Sequence, residues 1–358
     1  VSKRDLVLQT AVRFLFVVIA TGLLSAGLFW GGSMQDDSQA VTIYAYCDML
    51  AQEDFEAFTE KTGIKVVVRH FESIEEIMTK LTFTHESNID LVAPTDAMVE
   101  VLIQKKCIAP LDRSLLSEFE NLDPRLMKLF YDPTNTYSVP FSWTPVGIGY
   151  DTRALSLPRE HMTWGMLFDG PYLGNICLGE DPIETISLAM IHLYGEVLTS
   201  LTPAQEAEIV AVLTKQKEWV ECYTNNLRYF LVSGVSPAVV LPAAYMIQQK
   251  QHSPWAEFVI PDSGTVMFVG NMALVGGSKK HKQAHAVINY LLSEEGAMTC
   301  FNNHAFLPTN VKACQKLPAY VVSHRYLFPE GDVFRSIKML NNSIPLKTME
   351  KIWQQAIV

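Results

Sequence analysis

An α/β protein of two domains, set behind an N-terminal apolar segment, is the architecture the sequence predicts. Three observations predict it. Residues 41–94 alternate β-rich runs with helical runs, the pattern of a mostly parallel sheet covered by helices. A second unit of the same type begins at Trp164. The chain beyond the apolar segment, about 320 residues, has room for two domains of about 150 residues each. Apolar residues make up 49% of the chain, so both cores can be filled and disorder is not expected.

Residues 14–30 are apolar and follow Lys3, Arg4 and Arg13. Basic residues stay on the cytoplasmic side, so everything past Ser33 is expected to face outward. The stretch meets the lower limit for crossing a bilayer, about 17–25 residues. It exceeds the apolar core of a secretory signal, about 7–15 residues. Residues 24–26 and 31–33 match a small-x-small cleavage site only loosely, and no cysteine suited to lipid modification follows before Cys47. Residues 1–40 are therefore expected to be an uncleaved anchor and linker, with a cleaved signal as the alternative.

Residues 41–46 are the first predicted strand. A helix over 53–62 carries Phe55 and Phe58 on one face and stops at Gly63, as a left-handed cap would. Residues 64–69 form a second strand. Ser73 and Glu76 make a capping box that opens a helix through Leu81. Residues 88–93 form a third strand, ending at Pro94. A helix over 99–106 and an apolar turn over 108–111 follow, then an extended run over 137–143. A strand over 147–151 leaves the first domain. The second unit holds a strand over 174–178, helices over 182–194 and 203–217, and strands over 234–241 and 257–260. Residues 265–275 return to the first domain, and 281–292 form a helix with Ala284, Val287, Ile288, Tyr290 and Leu291 on its apolar face. Residues 41–147 plus 269–313 make up the first domain, and 148–268 plus 314–358 the second. Crossings near Gly147 and Phe268 act as a hinge beside a cleft. Ligands in open α/β sheets sit beyond the carboxyl ends of strands, so the loops after Tyr46, Ala93 and Leu178 are where a site is expected.

The net charge of −10 argues against nucleic acid and anionic lipid surfaces as partners and is compatible with cationic ligands. The six cysteines show no CxxC and no zinc spacing, and buried free thiols are expected. Cys300 and Cys314 are the only pair close in sequence. His281 and His285 have a spacing that can hold a metal, but Lys279, Lys280 and Lys282 mark a solvated face, and no metal is expected. Gly276, Gly277 and Ser278 lack the P-loop spacing, and GxSxG, HExxH and Rossmann fingerprints are absent. Neither catalysis nor a cofactor has support.

Many short runs occur in order along the chain: 58–66 (FTEKTGIKV), 71–73 (FES), 80–81 (KL), 90–94 (DLVAP), 121–124 (NLDP), Asp132-Pro133, 137–140 (YSVP), Gly174, 288–292 (INYLL) and 307–310 (LPTN). Together they resemble the spermidine/putrescine-binding periplasmic proteins, the solute-binding proteins of ABC polyamine importers. The resemblance implies a type II periplasmic-binding-protein-like fold with a hinge and interdomain cleft. It implies a monomeric receptor that captures putrescine or spermidine and delivers it to a membrane permease and ATPase. Carboxylates would neutralise the ammonium ends through charge-assisted hydrogen bonds. Aromatic faces would cover the methylene chain.

The resemblance carries over the ligand positions unevenly. It assigns a ring to Tyr46, a carboxylate to Asp48, a hydroxyl to Thr95 and an acidic i, i+3 pair to Asp181 and Glu184. It assigns ring walls to Phe268 and Phe306, which lack the polar atoms of the family's tryptophan and tyrosine. Met49, Ala97 and Pro242 stand where the family has rings, and Gly270 stands where it has an aspartate. One ionised hydrogen bond contributes about 1.5–3 kcal/mol, so the lost carboxylate costs one to two decades of affinity unless Asp96 or Asn271 substitutes.

Each position also has a plainer reading. Asp181, Pro182 and Glu184 form a good helix start without any ligand, and both readings hold if Asp181 caps through one oxygen. Tyr46 could be core, but the polar residues after it favour the cleft. Trp143 reads as core, Asp96 as a cap for a helix beginning at Ala97, and Tyr245 as a weak candidate for a replacement ring. Rival functions are the same receptor fold with another small amine or organic solute, an extracytoplasmic sensor, and an enzyme on a similar scaffold.

Overall fold

The computed structural model describes residues 39–46, 48–71, 74–82, 88–155, 163–170, 176–340 and 343–358. The predicted anchor, Cys47, the Ser73 cap and Gly174 lie outside the described residues. Among the described residues no helix is long and apolar enough to cross a membrane.

The first three strands, β1 (Val41–Tyr46), β2 (Val66–Phe71) and β3 (Leu91–Ala93), are parallel, with β1 in the middle. β1 is buried along nearly all its length, as a strand covered on both faces must be. Ile43 is fully buried there, a contribution of about 1.5–3 kcal/mol. A 3-10 turn at Gln52–Phe55 leads into helix α1 (Glu56–Thr62). Gly63 ends that helix at φ 71°, a backbone region that glycine enters without penalty. Helices α2 (Ile74–Thr82) and α3 (Asp96–Gln104) follow β2 and β3. After a short β4 (Ile108–Ala109), the chain enters the longest strand, β5 (Ser138–Asp151).

β5 changes partners part-way along. From Ser138 to Pro145 it runs antiparallel to β10 (Thr265–Val275), and from Val146 onward it pairs with β8 (Ala238–Pro242) and β9 (Ala256–Val259). The sheet thus has two halves. The first runs β2-β1-β3-β10-β5. The second runs β5-β8-β6-β7, with β6 (Ile176–Leu178) and β7 (Val220–Tyr223) parallel to each other. The run of residues 137–151 that reads as two pieces is one strand, and it spans both halves.

Helices α4 (Gly165–Phe168), α5 (Pro182–Tyr194), α6 (Pro203–Gln216), α7 (Leu227–Val232) and α8 (Ala243–Lys250) belong with the second half. Helix α9 (His281–Leu292) covers the first half and is followed by α10 (Glu294–His304) and β11 (Leu307–Pro308), which pairs with β5 at Ser142 and Trp143. Trp143 is buried against Phe334 and Phe328, as core. Near the end of the chain, α11 (Leu346–Ala356) packs on α5 and α6.

Three buried aspartates fix the loops around the sheet. Asp90 accepts the Thr42 N–H (3.0 Å) and the Ser278 hydroxyl (2.7 Å) and pairs with the Lys280 ammonium (3.3 Å). Asp132 accepts the N–H groups of Thr136, Tyr137 and Ser138, clamping the turn into β5. Asp54 accepts from Ala51 N, Asn303 Nδ2 and His304 Nε2, tying the turn after β1 to the end of α10. Each satisfies several backbone or side-chain donors that would otherwise be buried unpaired.

Candidate functional site

The strand ends place the candidate residues. Tyr46 ends β1 and Asp48 lies in the loop beyond it; Pro94 and Thr95 follow β3; Asp181 follows β6; Tyr245 lies in the helix after β8. All these loops leave the carboxyl ends of strands, where α/β proteins hold ligands. Register along the β5–β10 pair gathers more of them. Phe268 pairs with Thr144 and Gly270 with Ser142; Thr95 bridges to Gly270; Phe306 directly precedes Leu307, which pairs with Trp143. The Thr144 hydroxyl accepts the Ala244 N–H at 3.1 Å, drawing the start of α8 to the same crossing.

Asp181 caps α5. Its Oδ1 accepts the Ile183 N–H at 2.8 Å, and Pro182 occupies the first helical position, where a missing N–H costs nothing. Asp181 is exposed at the helix start, and desolvation by the surrounding protein raises its carboxyl above the usual range against the Ile183 and Glu184 amides. Glu184, one turn into the helix, is buried, and among the described residues its carboxyl has no ion-pair partner. Burial first, and repulsion from Asp181 second, push it up to about 8.

Asp96 is a third acid here. Helix α3 begins at Asp96 with Thr95 at the cap position, so Asp96 is not the cap expected from the sequence. It is fully buried, and neither carboxyl oxygen has a hydrogen-bond partner among the described residues. Burial pushes it up to about 8 against nearby backbone amides that favour the ion, and Asp181 adds repulsion. Asn271, the other suggested substitute, is engaged: it accepts from Tyr131 Oη (3.2 Å) and donates to the Val269 carbonyl (3.0 Å).

Asp48 lies at the surface and accepts a hydrogen bond from Tyr245 Oη at 2.7 Å, across the two halves. The Arg228 guanidinium sits 5.1 Å from the Tyr245 ring centre. A second cross-link runs from Gln248 Nε2 to the His304 carbonyl at 2.9 Å. The Tyr46 ring packs on Phe71, with centroids 4.3 Å apart, and is half-buried. Phe268 and Phe306 are half-buried against the core of the second half.

Gly270 shows why its position carries no acid. A Cβ there would lie 2.5 Å from Ser142 Oγ, 3.2 Å from Met49 Sδ and 3.3 Å from Phe141, so Met49 and Ser142 fill the space. The histidines on α9 are committed to structure. His285 accepts the Asp112 N–H at one ring nitrogen and meets the His281 carbonyl at the other, while His281 meets the Ser278 carbonyl. Sequence reasoning did not foresee the burial of Asp96 or the bond from Tyr245 to Asp48. For Asp96 the only available signal was an acid directly after a capping threonine; for Tyr245 it was an unassigned ring after a strand.

Residues 55–321 match the family described as bacterial extracellular solute-binding protein. The chain is 24% identical over 327 residues to the spermidine/putrescine-binding periplasmic protein of Escherichia coli (strain K12), a match covering 91% of this chain and 92% of that one. It is 26% identical over 334 residues to the putrescine/agmatine-binding protein of Pseudomonas aeruginosa, covering 86% and 89%. The crystal structure of the spermidine/putrescine ABC transporter substrate-binding protein PotD from Streptococcus pneumoniae superposes with a TM-score of 0.78 at 24% identity, covering 88% and 97%, a likeness of fold. The α/β architecture read from the sequence is thus that of periplasmic binding proteins. With the family match spanning well over half of its length, the chain belongs to the bacterial extracellular solute-binding protein family, whose members are non-enzymatic transport receptors.

Proposed function

We propose that this protein is the extracytoplasmic receptor of an ABC importer and captures a linear polyamine, putrescine or spermidine, between its two halves. Residues 41–147 with 269–313 act as one domain and 148–268 with 314–358 as the other, hinged where β5 and β10 cross. Asp181, Glu184 and Asp48 take the ammonium groups, Tyr46, Phe268 and Phe306 wall the methylene chain, and Thr95 donates or accepts one hydrogen bond. The receptor acts as a monomer, tethered to the outer face of the inner membrane by its N-terminal segment, and presents its closed form to a permease and ATPase.

One observation carries this reading: Glu184 is buried beside Asp181 at a helix start, and neither carboxyl has an ion-pair partner among the described residues. Such a pair is costly unless a cation comes to it. The curated relatives named above, whose names include spermidine and putrescine, support the amine class.

Calorimetry with putrescine, spermidine and an uncharged solute of similar length tests it. Saturable binding of a polyamine that Glu184→Gln weakens at least tenfold is expected. Absence of binding by any polyamine overturns the proposal.

A further inference from the structure

We infer that Asp96 is a further ligand-binding carboxylate, held on the first half opposite Asp181 and Glu184 on the second, so that the cleft selects a linear molecule with a cationic group at each end. This rests on the receptor reading above and adds to its site a carboxylate on the first half.

Asp96 lies at the first position of α3, directly after the Thr95–Gly270 bridge. The Asn271 N–H holds the Pro94 carbonyl at 2.9 Å, so the backbone that presents Asp96 is pinned to β10. The side chain is fully buried with two unpartnered oxygens. Buried polar groups are nearly always paired, and an exception needs a reason. The nearest polar side chains offer none, because the Tyr131 hydroxyl is already given to Asn271. Helix α5, which Asp181 caps, packs against β10, the strand to which Thr95 is bridged, so Asp96 and Asp181 belong to the same crossing from different halves.

The arrangement also accounts for Gly270. The aspartate expected there from the family resemblance is missing and its space is filled, while an acid stands instead on the segment paired with Gly270. An acidic group is kept at the crossing but moved to the segment bridged to Gly270. An ammonium entering between Asp96 and Asp181 relieves the repulsion and supplies the missing donors in one step. A ligand with one cationic end satisfies only one wall.

Asp96→Asn keeps the shape of the side chain and removes its charge. Putrescine and butylamine, one with two amines and one with a single amine, are titrated into wild type and variant by calorimetry, with melting temperature as a check on folding. The expected result is a loss of about ten- to a hundredfold in putrescine affinity, butylamine affinity changed less than threefold, and a melting temperature equal to or above that of wild type. Should the variant fold poorly, Glu184→Gln titrated with putrescine in two buffers of different ionisation enthalpy supplies the test, because proton release is then expected from Asp96 without the contribution of Glu184. Equal putrescine affinity in wild type and Asp96→Asn, or no proton release, overturns the role of Asp96. Failure of wild type to bind putrescine or any longer polyamine overturns the receptor reading itself.

Discussion

Tyr245 Oη donates to Asp48 Oδ2 at 2.7 Å, joining the helix after β8 to the loop after β1 across the two halves. The bond is local to neither element, since the two residues are far apart in sequence. It holds the carboxylate of Asp48 in one direction and links the two halves of the sheet.

Removing the donor with Tyr245→Phe is expected to lower putrescine affinity by roughly threefold to tenfold, the effect of one partly exposed charge-assisted bond. Small-angle scattering of the variant without ligand should show a larger radius of gyration than wild type. An unchanged radius and affinity would show that the bond does not hold the halves together.

Asp96 and Glu184 give the empty protein a distinct pH response. Both titrate near 4 in an unfolded chain and at about 8 in the folded one. The groups facing them are Asp181, which repels both, and Tyr131, beside Asp96. Between those values the folded state binds more protons, so their contribution to stability is complete below about pH 4 and is lost as pH rises through about 8. The melting temperature of the empty protein should fall from about pH 5 to about pH 8, more steeply than in an Asp96→Asn, Glu184→Gln double variant. Parallel slopes for the two proteins would refute the assignment.

Asp54 should be worth more to stability than any exposed ion pair. Asp54→Ala leaves the Ala51 N–H, an Asn303 N–H and the His304 ring without their acceptor. The expected loss is about 3 kcal/mol in chemical denaturation, against less than about 0.5 kcal/mol for Lys61→Ala, whose partner Glu295 is exposed. Equal losses would place the stabilisation elsewhere.

Cys177 and Cys222 sit opposite one another on the parallel strands β6 and β7, with sulfurs 3.4 Å apart. Cys300 and Cys314 are the pair close in sequence, whereas the strand register brings Cys177 and Cys222 together in space. Burial holds the Cys177 thiol up at about 12, so Cys222, the more accessible, should react first. Oxidised glutathione is expected to convert the pair to a disulfide: the two thiols give up their hydrogens, the sulfur–sulfur bond forms, and the oxidant is reduced to two glutathione thiols. Peptide mass spectrometry should find the cross-linked pair. Full alkylation of both cysteines after native oxidation would exclude it.

The parts of the fold that could be read directly are those governed by local physics. The spans of β10 and α9 and the Asp181 cap follow from periodicity and capping chemistry alone. β2 begins at Val66, two residues later than its β-rich composition suggests, because pairing with β1 starts at Val41 and Val66. β5 looks broken at Pro145 and Gly147, yet it continues, since a strand can lack an N–H where it changes partners. At the candidate site the helix start at Asp181 was legible from capping chemistry. The burial of Asp96, which depends on β10, and the contact of Tyr245 with Asp48 in the other half of the sheet were not.

β3 and β5 are neighbours only through β10, which lies between them but begins at Thr265, long after both. A nascent chain emerging amino end first therefore leaves the first half with a gap at its centre until late in synthesis. Such a vacancy delays assembly and makes insertion of the last long strand the event that closes the first half of the sheet.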